Sequence, residues 1–425
     1  MGFKVGSKEF YTDDGIPYVW GSGDKLETLT TYDTKIWPTY DGLIPSSGDY
    51  FGYSVAVGSG RIVVGAYEDN GPNNDQTDQG SAYIFDLDGT QIAKITANDG
   101  TSYDRFGHRV AVGCGRIVVG AYLDDHGTSS TVDSGSAYIF DLDGTQQAKI
   151  TASDAFTSDH FGSSVAVGCG RIVVGATGDD VQYSNQGAVY IYDLDGNNEI
   201  KITPDDARQS DYFGRSVAIG CGRIVVGAHG DNVGSNDDQG SAYIFDLDGN
   251  QLAKITADDG DDNDQFGISV AVGSGRIVVG AFQNDDGGTD SGSAYIFDLD
   301  GNQLKKINAF ETDGISIAND NFGVSVAVGS GRIVVGADEY SDTYTNQGAA
   351  YVFDLDGNQL EKITVSDGAN YDNFGISVAA GLGKIVVGAW SHGTGTGTDS
   401  GTAYIYDTPQ IYTIYDAIEH QKGNL

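Results

Sequence analysis

Short apolar runs alternate with clusters of Gly, Asp, Asn and Ser along the whole chain, and the alternation is periodic. Phe-Gly recurs at Phe51, Phe106, Phe161, Phe213, Phe266, Phe322 and Phe374, at spacings of 52 to 56 residues. From each Phe to the Gly of the next Gly-Ala step is always 14 residues, ending at Gly65, Gly120, Gly175, Gly227, Gly280, Gly336 and Gly388. One unit reads FGISVAVG from Phe266, a Ser274-Gly275 turn, RIVVGA from Arg276, a variable loop, GSAYIFDL from Gly292, the turn Asp300-Gly301-Asn302, and QLKKIN from Gln303. Val, Ile, Tyr and Phe between Gly and Asp punctuation predict four strands joined as hairpins. RIVVGA shows no apolar–polar alternation, so both of its faces are expected to be buried. The fourth strand instead carries a Lys at positions 94, 149, 201, 254, 306 and 362, which suggests an exposed edge guarded by charge.

Seven copies of a four-stranded unit predict an all-β fold, a seven-bladed β-propeller of four-stranded antiparallel blades. An open solenoid is the alternative. The ring is favoured because Thr34-Lys35-Ile36 repeats the Lys-Ile step of every fourth strand, with Lys35 16 residues before Phe51, just as Lys306 precedes Phe322. An N-terminal strand would then close the last blade, pairing Thr34 to Trp37 with Ala403 to Tyr406. Ile411 to Ile414 is a rival without the Lys. The expected organisation is an extension or attachment arm over 1–33, the propeller over 34–407 and a tail over 408–425.

Composition sharpens this picture. The chain has 23 Lys and Arg against 61 acids, a net charge of −38; 53 of the acids are Asp and only eight are Glu. Asp disfavours helices and favours turns, because its carboxylate bonds nearby backbone N–H groups. Such a charge argues against nucleic acid and against an anionic membrane as partners. No apolar run approaches a membrane span and the N-terminus lacks the apolar stretch of a secretory signal, so the expected location is a virion or the extracellular space, without membrane insertion. Cys114, Cys169 and Cys221 occupy one turn in successive repeats, where Ser59, Ser274, Ser330 or Leu382 stand elsewhere. They read as small-residue substitutions rather than a disulfide or metal set.

The units resemble the FG-GAP repeat of integrin α-subunit heads and of many bacterial and phage proteins, over roughly residues 34 to 407. That resemblance implies a propeller used for adhesion, ligand display or assembly. Several integrin repeats place a calcium loop between the first and second strands; every copy here has a two-residue turn there, so that site is not expected.

Propeller connections alternate between faces. The short turns of one face, the bottom, are nearly identical, whereas the loops between second and third strands, on top, vary most, and binding is expected there. Tyr67, Tyr122, Thr177, His229, Phe282, Asp338 and Trp390 head these loops. Tyr67, Tyr122, His126, His229, Phe282, Tyr340, Tyr344, Trp390 and His392 are the candidate ligand or partner residues, able to stack on sugar rings or to meet a protein; the alternative is that they merely cap the core. Asp49, Asp104, Asp159, Asp211, Asp264, Asp320 and Asp372 stand two residues before each Phe, five of them with a further Asp five residues earlier. They are read as fixing the inter-blade turn, with calcium as the alternative, its densest candidate being Asp258, Asp259, Asp261, Asp262 and Asp264. No other cofactor is expected. The Arg opening each second strand is expected to pair with the Asp ending the third, Arg61 with Asp86 and Arg276 with Asp298.

Most basic residues follow the repeat; within the propeller Arg105, Arg109, Arg208 and Arg215 break it. No asymmetric set of groups with the marks of a catalytic centre stands out, so a non-enzymatic role is expected. The favoured function is a structural or receptor-binding component of a particle, a phage virion in particular. Its terminal segments would meet other virion proteins and its loop face a host glycan or protein. A surface adhesin and a propeller glycoside hydrolase or lyase are the alternatives.

Overall fold

The computed structural model describes residues 34–36, 48–70, 76–125, 132–309, 318–393 and 400–408, together with the backbone of two short strands near the N-terminus. The chain divides into two units, Met1–Thr30 and Thr31–Leu425. In the first, Lys4–Val5 pairs antiparallel with Lys8–Glu9. The second is the predicted propeller, seven sheets of four antiparallel strands in sequence order.

Blade 1 shows the design, with strands Ser54–Gly58, Arg61–Ala66, Ser81–Phe85 and Gln91–Ile95. Its register sets Val55 opposite Val64, Val64 opposite Tyr83, and Tyr83 opposite Lys94. The first turn places Ser59 at φ 49° and Gly60 at φ 76°. Two positive φ values make a turn whose twist matches that of the strands it joins, which is why the second residue is always Gly.

Each first strand touches the next, and the seventh touches the first, so the ring is closed. The seventh blade has three strands from residues 374–407, and its fourth is Thr34–Ile36, with Thr34 opposite Ile405, Lys35 opposite Tyr404 and Ile36 opposite Ala403. Trp37 and the rival 411–414 segment lie outside the described residues.

The core sits between blades rather than at one centre. Val63, Ile84 and Ile95 of blade 1 pack on Phe106, Val119 and Tyr138 of blade 2, and Ile36, Val386 and Ile405 of blade 7 pack on Phe51 and Val64 of blade 1. Ile62, Val63 and Val64 have no exposed surface, as the unalternating RIVVGA pattern predicts. Two glycines per repeat let the sheets approach this closely. A Cβ on Gly65 would overlap the carbonyl oxygen of Gly107 on the next blade, and one on Gly388 would overlap that of Gly52 across the closure. At the same seam the Ser three residues after Phe donates to the facing carbonyl in blades 3 to 7, as Ser164 Oγ does to Gly214 O at 2.7 Å and Ser377 Oγ to Gly52 O at 2.7 Å.

Two expectations are corrected. The fourth-strand lysines do not guard a bare edge. Lys149 Nζ lies 2.8 Å from Asp99 and 2.7 Å from buried Asp124, and over the ring of Tyr138. Lys201, Lys254 and Lys35 repeat this knot with Asp154 and Asp179, with Asp206 and Asp231, and with Asp367 and His392. The second-strand arginines of blades 1 to 5, in turn, reach the next blade rather than their own third strand. Arg61 Nε donates to Leu142 O at 3.0 Å, and Arg276 Nε donates to Leu355 O at 3.1 Å with its guanidinium 3.6 Å from Asp356. Asp86 and Asp298 are occupied by their own turns, each accepting backbone N–H groups two and four residues on. A carboxylate held by local amides is oriented away from the strand partner. In blade 7, where that turn sequence is missing, Lys384 does pair with Asp407 at 2.5 Å.

Candidate functional site

Three positions per repeat meet where the first strand leaves the top face. They are the residue before each Phe, the residue two after it, and the head of the variable loop. In blades 1 to 4 these are Tyr50, Tyr53 and Tyr67; Arg105, His108 and Tyr122; His160, Ser163 and Thr177; and Tyr212, Arg215 and His229. In blades 5 to 7 they become Gln265, Ile268 and Phe282; Asn321, Val324 and Asp338; and Asn373, Ile376 and Trp390. The ring is symmetric in backbone and lopsided in chemistry.

Blades 7, 1 and 2, together with His160, build a continuous arc of half-buried rings. Trp390 meets Tyr50 edge-on with centroids 4.7 Å apart, Tyr50 lies 5.6 Å from Tyr67, and Tyr67 lies 4.6 Å from Tyr53. Tyr53 continues to His108 at 5.2 Å, His108 to Tyr122 at 4.4 Å, and Tyr122 to His160 at 5.7 Å. Arg105 lies over the Tyr67 ring and is paired with Glu68 and Asp78. Arg109 lies over Tyr53, 5.2 Å from guanidinium carbon to ring centre. On blade 4, His229 stacks on Tyr212 at 5.3 Å.

The residue before each Phe adopts a left-handed backbone, with φ of 55° at Tyr50, 60° at Arg105, 56° at His160 and 53° at Tyr212. Asn accepts that conformation at little cost, and blades 6 and 7 use Asn321 and Asn373 there. A bulky side chain in this region is strained, and such strain concentrates at functional positions. Three of these residues, Tyr50, Arg105 and His160, lie in or against the arc.

Burial sets the protonation of this region. It pushes the Tyr67 phenol, and less strongly that of Tyr122, above the usual range. Burial, then the neighbouring guanidiniums of Arg109, Arg215 and Arg105, hold His108 well below the usual imidazole value. His229 is lowered to about 3 by burial and then by Arg215. Tyr67, Tyr122, His108 and His229 are therefore neutral at pH 7.

Of the residues singled out in the sequence, Tyr67, Tyr122 and Trp390 join the arc. His229 and Phe282 are half-buried on blades 4 and 5, and Tyr344 is 43% exposed on blade 6. Tyr340 and His392 leave the candidate surface, because both are buried. Tyr340 lies under the Lys362 ammonium, and His392 accepts from Lys35 at Nε2 and donates from Nδ1 to Asp372 at 2.9 Å. They occupy the place that Asp69, Asp124, Asp179 and Asp231 hold in blades 1 to 4, so they are knot residues. Asp338 is buried beside Asn321, and burial pushes its carboxyl to about 7. His126 lies outside the described residues. The sequence survey missed Tyr50, Tyr53, His108 and His160; aligning the repeats on Phe and comparing the columns one before and two after it would have found them.

The aspartates before each Phe fix the inter-blade turn as expected, Asp104 accepting from Thr101 N at 2.6 Å and Asp211 from Arg208 N at 2.6 Å. In the densest cluster the carboxylates are drawn apart. Asp259 takes Lys306 and Tyr295, Asp261 takes its neighbour's amide, Asp262 takes Asp237 N, and Asp264 takes Asp261 N and Asn284. Among the described residues no group of three His, Cys, Asp or Glu converges as a metal site, and no helix is long and apolar enough to cross a membrane.

The family model for the FG-GAP repeat matches residues 45–85, 90–140, 145–192, 197–245, 250–297, 312–353 and 358–406. From the second on, each match ends with the third strand of a blade, and all of these but the sixth, which begins at 312, open at the fourth strand of the blade before. The sequence repeat is thus offset by one strand from the blade, which leaves the seventh blade a strand short and the N-terminal strand free to fill it. No curated protein matches the chain. Seven matches in register with seven blades, over more than half the chain, make this protein a member of the FG-GAP repeat family.

Proposed function

We propose that this chain is a non-enzymatic binding protein that presents the aromatic arc of blades 7, 1 and 2 to a ligand, as a receptor-binding or structural component of a particle such as a phage virion. One observation carries the reading: stacked rings gather on one side of one face, while the opposite face repeats the same two-residue turn. A propeller does not need the arc to fold, because blades 5 and 6 carry Gln265 with Ile268 and Asn321 with Val324 where blades 1 and 2 carry Tyr50 with Tyr53 and Arg105 with His108. Rigid ring faces that keep part of their surface open suit saccharide stacking or a protein anchor.

The test is attachment of the purified protein to host surfaces or arrayed glycans. Trp390→Ala and Tyr53→Ala are each expected to weaken binding by about 2 kcal/mol while the circular dichroism spectrum is kept. Folded variants that attach as well as the parent would place binding elsewhere. Mass spectrometry of purified particles checks the setting.

A further inference from the structure

Arg109 and Arg215 are two guanidiniums on the first strands that the repeat does not explain and that, among the described residues, form no ion pair with a carboxylate. At the position of Arg109 the other six blades carry Ser54, Ser164, Ser216, Ser269, Ser325 and Ser377. Where those serines stitch blade to blade, as Ser216 does to Gly267 O at 2.9 Å, Arg109 donates only to His108 O at 3.1 Å and lies over Tyr53. Arg215 occupies the axial column that is Ile268, Val324 and Ile376 in the last three blades. On blade 3, between the two arginines, that column holds Ser163, whose hydroxyl turns back to Gly175 O at 3.2 Å.

The two charges feel each other. Burial first, and the Arg109 guanidinium second, lower Arg215 below the ordinary guanidinium value, with Tyr53 and Tyr122 also in its field. Arginine stays charged regardless, so the arrangement holds two like charges together at a desolvation cost. The nearby acids Glu68 and Asp78 are paired with Arg105. A second observation points the same way: the Nδ1 atoms of His108 and His229, on either side of this pair, are buried without a hydrogen-bond partner. In a chain of net charge −38, two arginines without a carboxylate partner are the opposite of what composition would place there.

We infer that the channel mouth between blades 2 and 4 is an anion subsite, where Arg109 and Arg215 hold the carboxylate or sulfate of an acidic saccharide. The sugar ring lies on the arc that begins at Tyr53, so anion and ring are recognised side by side. This inference rests on the proposed binding face and adds its ligand class.

The repeat itself supplies the test variant. Arg109→Ser and Arg215→Ile install residues that other blades already carry, so the double variant is expected to fold. Thermal shift and calorimetry would use sodium sulfate, a uronic-acid oligosaccharide, a sulfated oligosaccharide and a neutral one, each against sodium chloride of equal ionic strength. The parent is expected to bind at least one acidic saccharide saturably and better than the neutral one, with the uronic and sulfated arms telling the two anions apart. The double variant should lose about tenfold or more of that affinity, whereas Trp390→Ala should weaken acidic and neutral sugars alike. Acidic-saccharide binding kept in the folded double variant but lost in Trp390→Ala would overturn the anion subsite and leave the binding face standing. Binding untouched by either change would overturn both, and preference for an acidic peptide over every saccharide would overturn the ligand class.

Discussion

Lys254 Nζ lies 2.6 Å from buried Asp231 and 2.5 Å from Asp206, so one ammonium ties a top-face loop of blade 4 to the turn that enters it. Tyr243 completes the knot, donating to Asp206 at 2.9 Å beneath the same ammonium. Burial opposes the Lys254 charge, but its hydrogen bonds to both carboxylates outweigh it and raise its pKa. Lys254→Met should therefore cost about 2–3 kcal/mol, less than a fully buried pair because Asp206 is half-exposed. Asp231→Asn should cost less, since Asn284 holds that place in blade 5 and accepts from Ser293 at 2.8 Å. Chemical denaturation measures both; equal losses would contradict this account.

Closure makes the N-terminal strand a structural element. Ile36 is 3% exposed, and Lys35 bonds Asp367 and His392, each at 2.8 Å. Deleting residues 1–30 should leave the melting midpoint of the propeller nearly unchanged. Deleting 1–37 should destabilise it by about 3–5 kcal/mol, from a lost buried side chain and a broken ion pair. Equal midpoints for the two truncations would mean that another segment can close blade 7.

Tyr50→Asn separates strain from binding. Asn relieves the left-handed backbone, while the ring contacts with Trp390 and Tyr67 are lost, and each effect is worth about 1 kcal/mol. Stability should stay within about 1 kcal/mol of the parent and attachment should fall. A large loss of stability would make Tyr50 a packing residue.

Two sets of carboxylates pull the pH dependence in opposite directions. Burial raises Asp104 to about 6 and both Asp159 and Asp211 to about 7, although backbone amides oppose it. Their contribution is complete below the unfolded value near 4 and fades as pH rises through the folded values. Asp99, Asp154 and Asp206 are instead held low, burial being outweighed by their bonds to Lys149, Lys201 and Lys254. Theirs is present above about 4 and lost in acid. Melting midpoints should peak near pH 5 and decline by pH 8, as the repulsion within so acidic a chain also grows. A midpoint that climbs steadily from pH 5 to 8 would refute the raised group.

Recurrence of Phe-Gly and Gly-Ala at fixed distance is enough to set the number of blades and the strands of each, and the Lys-Ile step at Lys35 marks the strand that closes the ring. Those features follow from local rules: turn chemistry, burial on both faces, and glycines where sheets touch. The bonding of Lys254 and Arg61 could not be read the same way, because residues tens of positions apart compete for each carboxylate. Asp86 was taken by its own turn, and Arg61 crossed to the next blade. Tyr67, Tyr122 and Trp390 were found by looking along one loop, but Tyr53, His108 and Arg215 belong to other columns of the repeat. Folding seven near-identical blades into a ring brings their first strands around one axis, and only there do departures scattered over more than 150 residues become neighbours.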